Sequence, residues 1–160
     1  MKHCCSLRMC MIGHGVLAMI LLILGGVAGI RQLTASPVAP AEAVRQVLDA
    51  QVAAWNRGDL EQFMAGYWRS PELSFFSGKD KRKGWEDTLN RYRQRYQSGG
   101  REMGKLTFTD LQIESPAPDM AWVRGRWKLI MSKEAPEGLF TLIFKKLPEG
   151  WRIVHDHTSG

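Results

Sequence analysis

The last third of the chain carries four strand-like segments joined by connectors too short to be anything but hairpin turns. KLTFTDLQIES, MAWVRGRWKLIM, LFTLIFKKL and WRIVHDHTS are separated by PAPD, SKEAPEG and PEG. Parallel neighbours need crossovers of about a dozen residues or more, whereas Pro, Gly, Asp and Ser at these joints favour tight turns. The spacing therefore predicts an antiparallel meander whose buried face must be covered by what precedes it.

What precedes it reads as helices. From Glu42 to Arg57, Val44, Val47, Leu48, Val52 and Trp55 recur at helical spacing, with Arg45, Gln46 and Asp49 on the opposite side. Gly58 suits the left-handed position after a helix, and Asp59 with Gln62 can cap the next, whose stripe is Leu60, Phe63, Met64 and Tyr67. Pro71 interrupts, and ELSFFSG predicts a short strand leading into a basic loop, Lys79 to Lys83. A third helix follows in GWEDTLNRYRQRYQSGG, with Trp85, Leu89, Tyr92 and Tyr96 on one face. Helices early and strands late predict an α+β domain, with a curved antiparallel sheet packed around N-terminal helices.

The first 41 residues stand apart from this pattern. They contain Lys2, Arg8 and Arg31 but no Asp or Glu, and they hold the apolar run Met11–Ile30. As a helix that run would rise about 30 Å, enough for a bilayer core, while its most apolar part is nearer a signal-peptide length. Ala39-Pro40-Ala41 offers a small-residue cleavage pattern. Residues 1–41 are thus expected to be a signal peptide or a signal anchor, and 42–160 an exported domain, periplasmic or secreted after cleavage or held to the membrane by one helix. Cys4, Cys5 and Cys10 all precede the run, leaving the domain without a thiol or disulfide.

Without the three N-terminal cations, 19 Lys and Arg face 16 Asp and Glu, a mild excess. The basic cluster Lys79–Lys83 and Arg91, Arg93 and Arg95 read as solvated surface, because no nucleic-acid motif accompanies them. No nucleic-acid partner is expected.

AWNRGDLEQFM at the first helix junction and GWRIVHDHTS at the end, together with this order of elements, resemble the nuclear transport factor 2-like superfamily. Within it the match is to the SnoaL-like, or domain of unknown function 4440, group. The resemblance covers Glu42 to Ser159. It implies a cone, a bent sheet wrapped round the first helix with a pocket open at one end, often paired into a homodimer through the outer sheet face. It does not imply one function, since the superfamily hosts isomerases, cyclases, hydrolases and silent binding domains. Aligned with ketosteroid isomerase relatives, Gln51 stands where the oxyanion-donating Tyr would be and Phe75 where the catalytic Asp would be. Steroid-type isomerisation is therefore disfavoured.

The candidate site comes from polar groups on apolar faces. Gln51 interrupts the stripe of the first helix, either as a ligand-orienting amide or as a buried amide bonded to a strand. In an extended strand Trp151, Ile153, His155 and His157 share one face and Arg152, Val154 and Asp156 the other. Both imidazoles are then expected on the buried side, one in a pocket and one tying the strand to the helices, with Asp156 and Thr158 at the surface. Two histidines without a third ligand predict no metal site, and no cofactor is expected. Trp55, Tyr67, Phe75, Trp85, Tyr92 and Trp127 are expected to supply apolar walls with a few polar tips. The expectation is a small-molecule-binding domain for an apolar or amphipathic ligand. The alternatives are a cyclase, isomerase or hydrolase with a pocket histidine as general base, and a structural dimerisation or scaffold module.

Overall fold

A computed structural model describes residues 38–160. The expected leader helix and the three cysteines lie outside the described residues. Among the described residues, no helix is long and apolar enough to cross a membrane.

Helix α1 (Pro40–Asn56) starts with Pro at its first position, where the missing N–H has no partner to lose. Its buried residues are Val44, Leu48, Gln51, Ala54 and Trp55, so the glutamine lies within the apolar stripe. Gly58 turns the chain at φ 81°, and Asp59 caps α2 (Leu60–Met64) by accepting from the Gln62 N–H at 3.0 Å. The next residues form β1 (Ser74–Ser77) and β2 (Asp80–Lys83), an antiparallel pair. The basic stretch expected as a loop is mostly strand. Its turn has only two residues, Gly78 and Lys79, with Gly78 at φ 56°, and such a turn favours glycine and closes a hairpin. Helix α3 (Trp85–Tyr92) continues as a π-helical segment, Arg93–Ser98.

The long strands are β3 (Lys105–Ala117), β4 (Met120–Ile130), β5 (Glu137–Leu147) and β6 (Gly150–Thr158). They form the predicted meander within one six-stranded sheet of order β2-β1-β6-β5-β4-β3. One pair departs from the antiparallel expectation, because β1 lies parallel to β6, with Phe75 opposite Asp156 and Phe76 opposite His157. The long chain from β1 to β6 supplies the crossover that a parallel pair requires. Irregularities between Thr109 and Gln112 on β3 and between Ile143 and Phe144 opposite β6 break the register. Such bulges bend a sheet, here around α1. Val44, Leu48, Met64, Val123, Phe144 and Ile153 are fully enclosed between helices and sheet. This is the cone expected from the resemblance.

The second irregularity decides which side chains face the interior. Phe144 pairs with Ile153 but Ile143 pairs with His155, leaving Val154 unmatched. One unmatched residue reverses the alternation beyond it. Trp151 and Ile153 are buried as expected, and then Asp156, not His155 or His157, takes the interior position.

Candidate functional site

Between α1, α3 and the concave sheet lies a cavity of about 280 Å³. Its walls are largely aromatic and include Trp55, Phe63, Phe75, Phe108, Trp127 and Phe140. Tyr92 and Tyr96, four residues apart on α3 and its π-helical continuation, stack at 6.2 Å between centroids and both meet Trp55 edge-on. Exposed Arg95 and Gly160 are also lining residues, so the cavity opens to solvent.

At its enclosed end stand Gln51, Tyr67 and Asp156, each 5 % exposed or less. Tyr67 is brought there by a bridge in which its segment runs beside β6. The Ile153 N–H donates to Gly66 O at 2.9 Å, and the Trp68 N–H donates to Ile153 O at 2.9 Å. From that position the Tyr67 hydroxyl donates to Asp156 Oδ2 at 2.8 Å. Thr158, two residues on and on the same face, donates its hydroxyl to Asp156 Oδ1. Gln51 Nε2 donates to Phe63 O at 3.1 Å, so the strand partner expected for a buried amide is corrected to a carbonyl of α2. It still lines the cavity, and Gly66 packs so closely on it that an added Cβ would lie 2.6 Å from its Cδ.

Burial raises the Asp156 carboxyl to about 6 against an ordinary 3.8, although the Thr158 and Tyr67 hydroxyls and the His157 charge each act to lower it. Burial, and then the neighbouring Asp156 charge, push the Tyr67 phenol well above its ordinary value. Tyr92 is raised too, first by burial and then by Asp156. A carboxyl that gains and loses its proton near pH 6, hydrogen-bonded to a phenol that keeps its own, can accept a proton from a bound molecule or donate one to it.

Of the residues singled out from sequence, Gln51, Trp55, Tyr67, Phe75, Tyr92 and Trp127 line this cavity. Trp85, His155 and His157 do not. Trp85 is core, its indole N–H donating to Met64 O at 2.8 Å beneath the Arg69 guanidinium. His155 and His157 lie on the convex side, edge-on to Phe76, with His155 Nδ1 2.7 Å from Ser74 Oγ. Burial and the charge of His157 hold the His155 imidazole below its ordinary value. The expectation that an imidazole enters the pocket is corrected by the unmatched Val154, and the surface roles expected of Asp156 and Thr158 are corrected with it. The one sequence signal for this was Ile153 and Val154 side by side, two β-branched residues that strict alternation cannot bury together.

Comparison with known proteins agrees with this architecture. Among curated proteins none matches the chain. An NTF2-like protein of unknown function from Shewanella oneidensis has a similar structure, with 38% identity and a TM-score of 0.73 over 76% of this chain and 100% of that one. A domain of unknown function with a cystatin-like fold from Nostoc punctiforme aligns at 20% identity and a TM-score of 0.64, covering 78% of each chain. An NTF2-like superfamily protein from Salmonella enterica aligns at 21% identity and a TM-score of 0.58, covering 76% of this chain and 93% of that one. The last two likenesses concern the fold alone. Residues 44–160 match the SnoaL-like domain, and the chain belongs to that family.

Proposed function

We propose that the domain binds a small amphipathic molecule in the cone cavity, with its polar atom against the Asp156–Tyr67 pair. The observation that carries this reading is the placement of that pair: a buried, hydrogen-bonded carboxyl stands in the wall of a largely aromatic hollow that opens to solvent. At about 30 Å³ per water-sized group, the hollow takes a body of about ten non-hydrogen atoms, and more where the ligand extends through the mouth. Native mass spectrometry of the purified full-length chain tests the reading. A noncovalent adduct retained in His155→Ala and His157→Ala but lost in Asp156→Ala supports it. An adduct lost in the histidine variants and kept in Asp156→Ala counts against it.

A second reading is favoured by the Asp156 carboxyl rising to about 6, within reach of neutral pH. Here the domain is a proton-transfer enzyme of the cyclase, isomerase or hydrolase kind, with Asp156 replacing the histidine expected as general base and Tyr67 holding that carboxyl in position. We further read residues 1–41 as the exporting leader, and N-terminal sequencing of the mature protein separates cleavage from anchoring. A homodimer through the convex face, where Trp122 pairs with Ile143 and Ile143 with His155, is the assembly we propose. Sedimentation of a Trp122→Glu variant tests it.

A further inference from the structure

The same cavity carries a second set of charged groups. Arg82, Arg91, Arg95 and Arg101 line it together with the aromatic rings. Arg91 and Arg95 are four residues apart, as are Tyr92 and Tyr96, so one helical segment turns a cationic row and an aromatic row towards the same hollow. Arg82 reaches it from the β1–β2 hairpin, and Arg101 from the segment entering β3.

Acidic partners satisfy these guanidinium groups only in part. Arg82 and Arg91 share a single carboxylate oxygen, Asp80 Oδ2, at 3.7 and 3.5 Å, and Arg101 Nη2 meets Glu134 Oε1 at 2.8 Å. Asp80 and Glu134 are themselves well exposed, so they hold the outer ends of these side chains. Arg95 lies over the Tyr96 ring and, among the described residues, pairs with no carboxylate. The Nε–H groups of Arg82 and Arg101 are buried and have no acceptor among the described residues. Buried donors normally have a partner, and two such donors in the wall of one cavity leave acceptor positions to be filled from within it. A neutral apolar ligand would leave both unmet, and a cationic one would add repulsion.

Building on the cavity as the ligand site, we infer that its ligand is an amphipathic anion. The apolar body lies on the aromatic wall, and a carboxylate or comparable oxyanion accepts from Arg82 and Arg101, with Arg91 and Arg95 adding charge. The anion is thereby held by guanidinium groups and not by Asp156. The uncharged pole of the ligand is then the part that reaches Asp156 and Tyr67.

The test titrates the full-length chain with 3-phenylpropanoate, its neutral amide and inorganic phosphate, followed by calorimetry and tryptophan fluorescence, since Trp55 and Trp127 line the cavity. The acid is expected to bind roughly tenfold tighter than the amide, and phosphate alone far more weakly than the acid. In an Arg82→Gln/Arg101→Gln variant the preference for the acid is lost while the affinity for the amide stays. Arg95→Gln, at an exposed position, weakens the acid a few-fold without touching the fold. Equal binding of acid and amide, or an acid preference unchanged in the double variant, overturns the anionic assignment and leaves the cavity as a ligand site. Phosphate binding as tightly as the acid overturns the amphipathic assignment. Failure of both phenylpropanoid probes counts against the cavity itself, and this inference falls with it.

Discussion

Replacing Asp156 by Asn is expected to make the protein more stable at neutral pH and slightly less stable in acid. The folded carboxyl sits at about 6, above the ordinary 3.8, so the folded state binds its proton more tightly than the unfolded chain does. Stability from this group is therefore fully present below about pH 4 and is lost as pH rises to about 6. The gap amounts to about 3 kcal/mol once the group is ionised. Asn carries no charge to bury, but its amide nitrogen cannot accept. One of the two hydroxyls now donating to the carboxyl, from Tyr67 or Thr158, must rotate and accept instead, at a cost of about 1 kcal/mol. The net expectation is a gain of about 2 kcal/mol at about pH 7.5, a rise in Tm of about 8 °C for a domain of this size, and a loss of about 1 kcal/mol at about pH 4. Thermal melts followed by circular dichroism at both pH values measure it. Glu102 and Glu137, held below their ordinary values by Ser132 and Lys128, give the opposite slope, but they are common to both proteins and cancel in the difference. A variant destabilised by the same amount at both pH values would refute the reasoning, because it would mean that no buried charge is relieved.

Other substitutions test the neighbouring contacts. Tyr67→Phe removes a hydrogen bond to Asp156, so it should raise the carboxyl further and cost roughly 1–3 kcal/mol above pH 6, read from urea melts. Gly66→Ala drives a Cβ into the Gln51 amide and should cost about 1–3 kcal/mol, and much of that loss should disappear in the Gly66→Ala/Gln51→Ala double variant, giving a coupling measurable by a double-mutant cycle. His155→Ala and His157→Ala, on the convex face, should leave the binding of a cavity ligand within twofold of the parent, as measured by calorimetry.

Much of the fold can be read from residue spacing. The α1 stripe, the Gly58–Asp59 junction, the Trp85–Tyr96 face and all four late strands appear where helical and two-residue periods put them. These features are local, and local sterics and burial set them. The aromatic lining was legible for the same reason, since large apolar side chains on inward faces have few other places to go. Two things were not legible. The basic stretch after Gly78 looked like loop because charge marks solvent exposure, yet an edge strand in a hairpin tolerates charge on its open side and half-buries only Arg82. The polar centre was missed because alternation carries no record of where a ladder skips a residue. That skip depends on the Tyr67 segment and then β1 pairing with β6, partners distant in sequence.

The unmatched Val154 also says how such a pocket can change its chemistry. Deleting that single codon would close the skip and leave His155 opposite Ile143 and Asp156 inward. One residue added between Val154 and His155 would instead bring His155 opposite Leu142, withdrawing the aspartate and presenting the imidazoles with no side chain exchanged for another. A change of length at this strand can therefore alter the interior as a substitution does, and two chains that differ by one residue here would, aligned column by column, match residues that look in opposite directions.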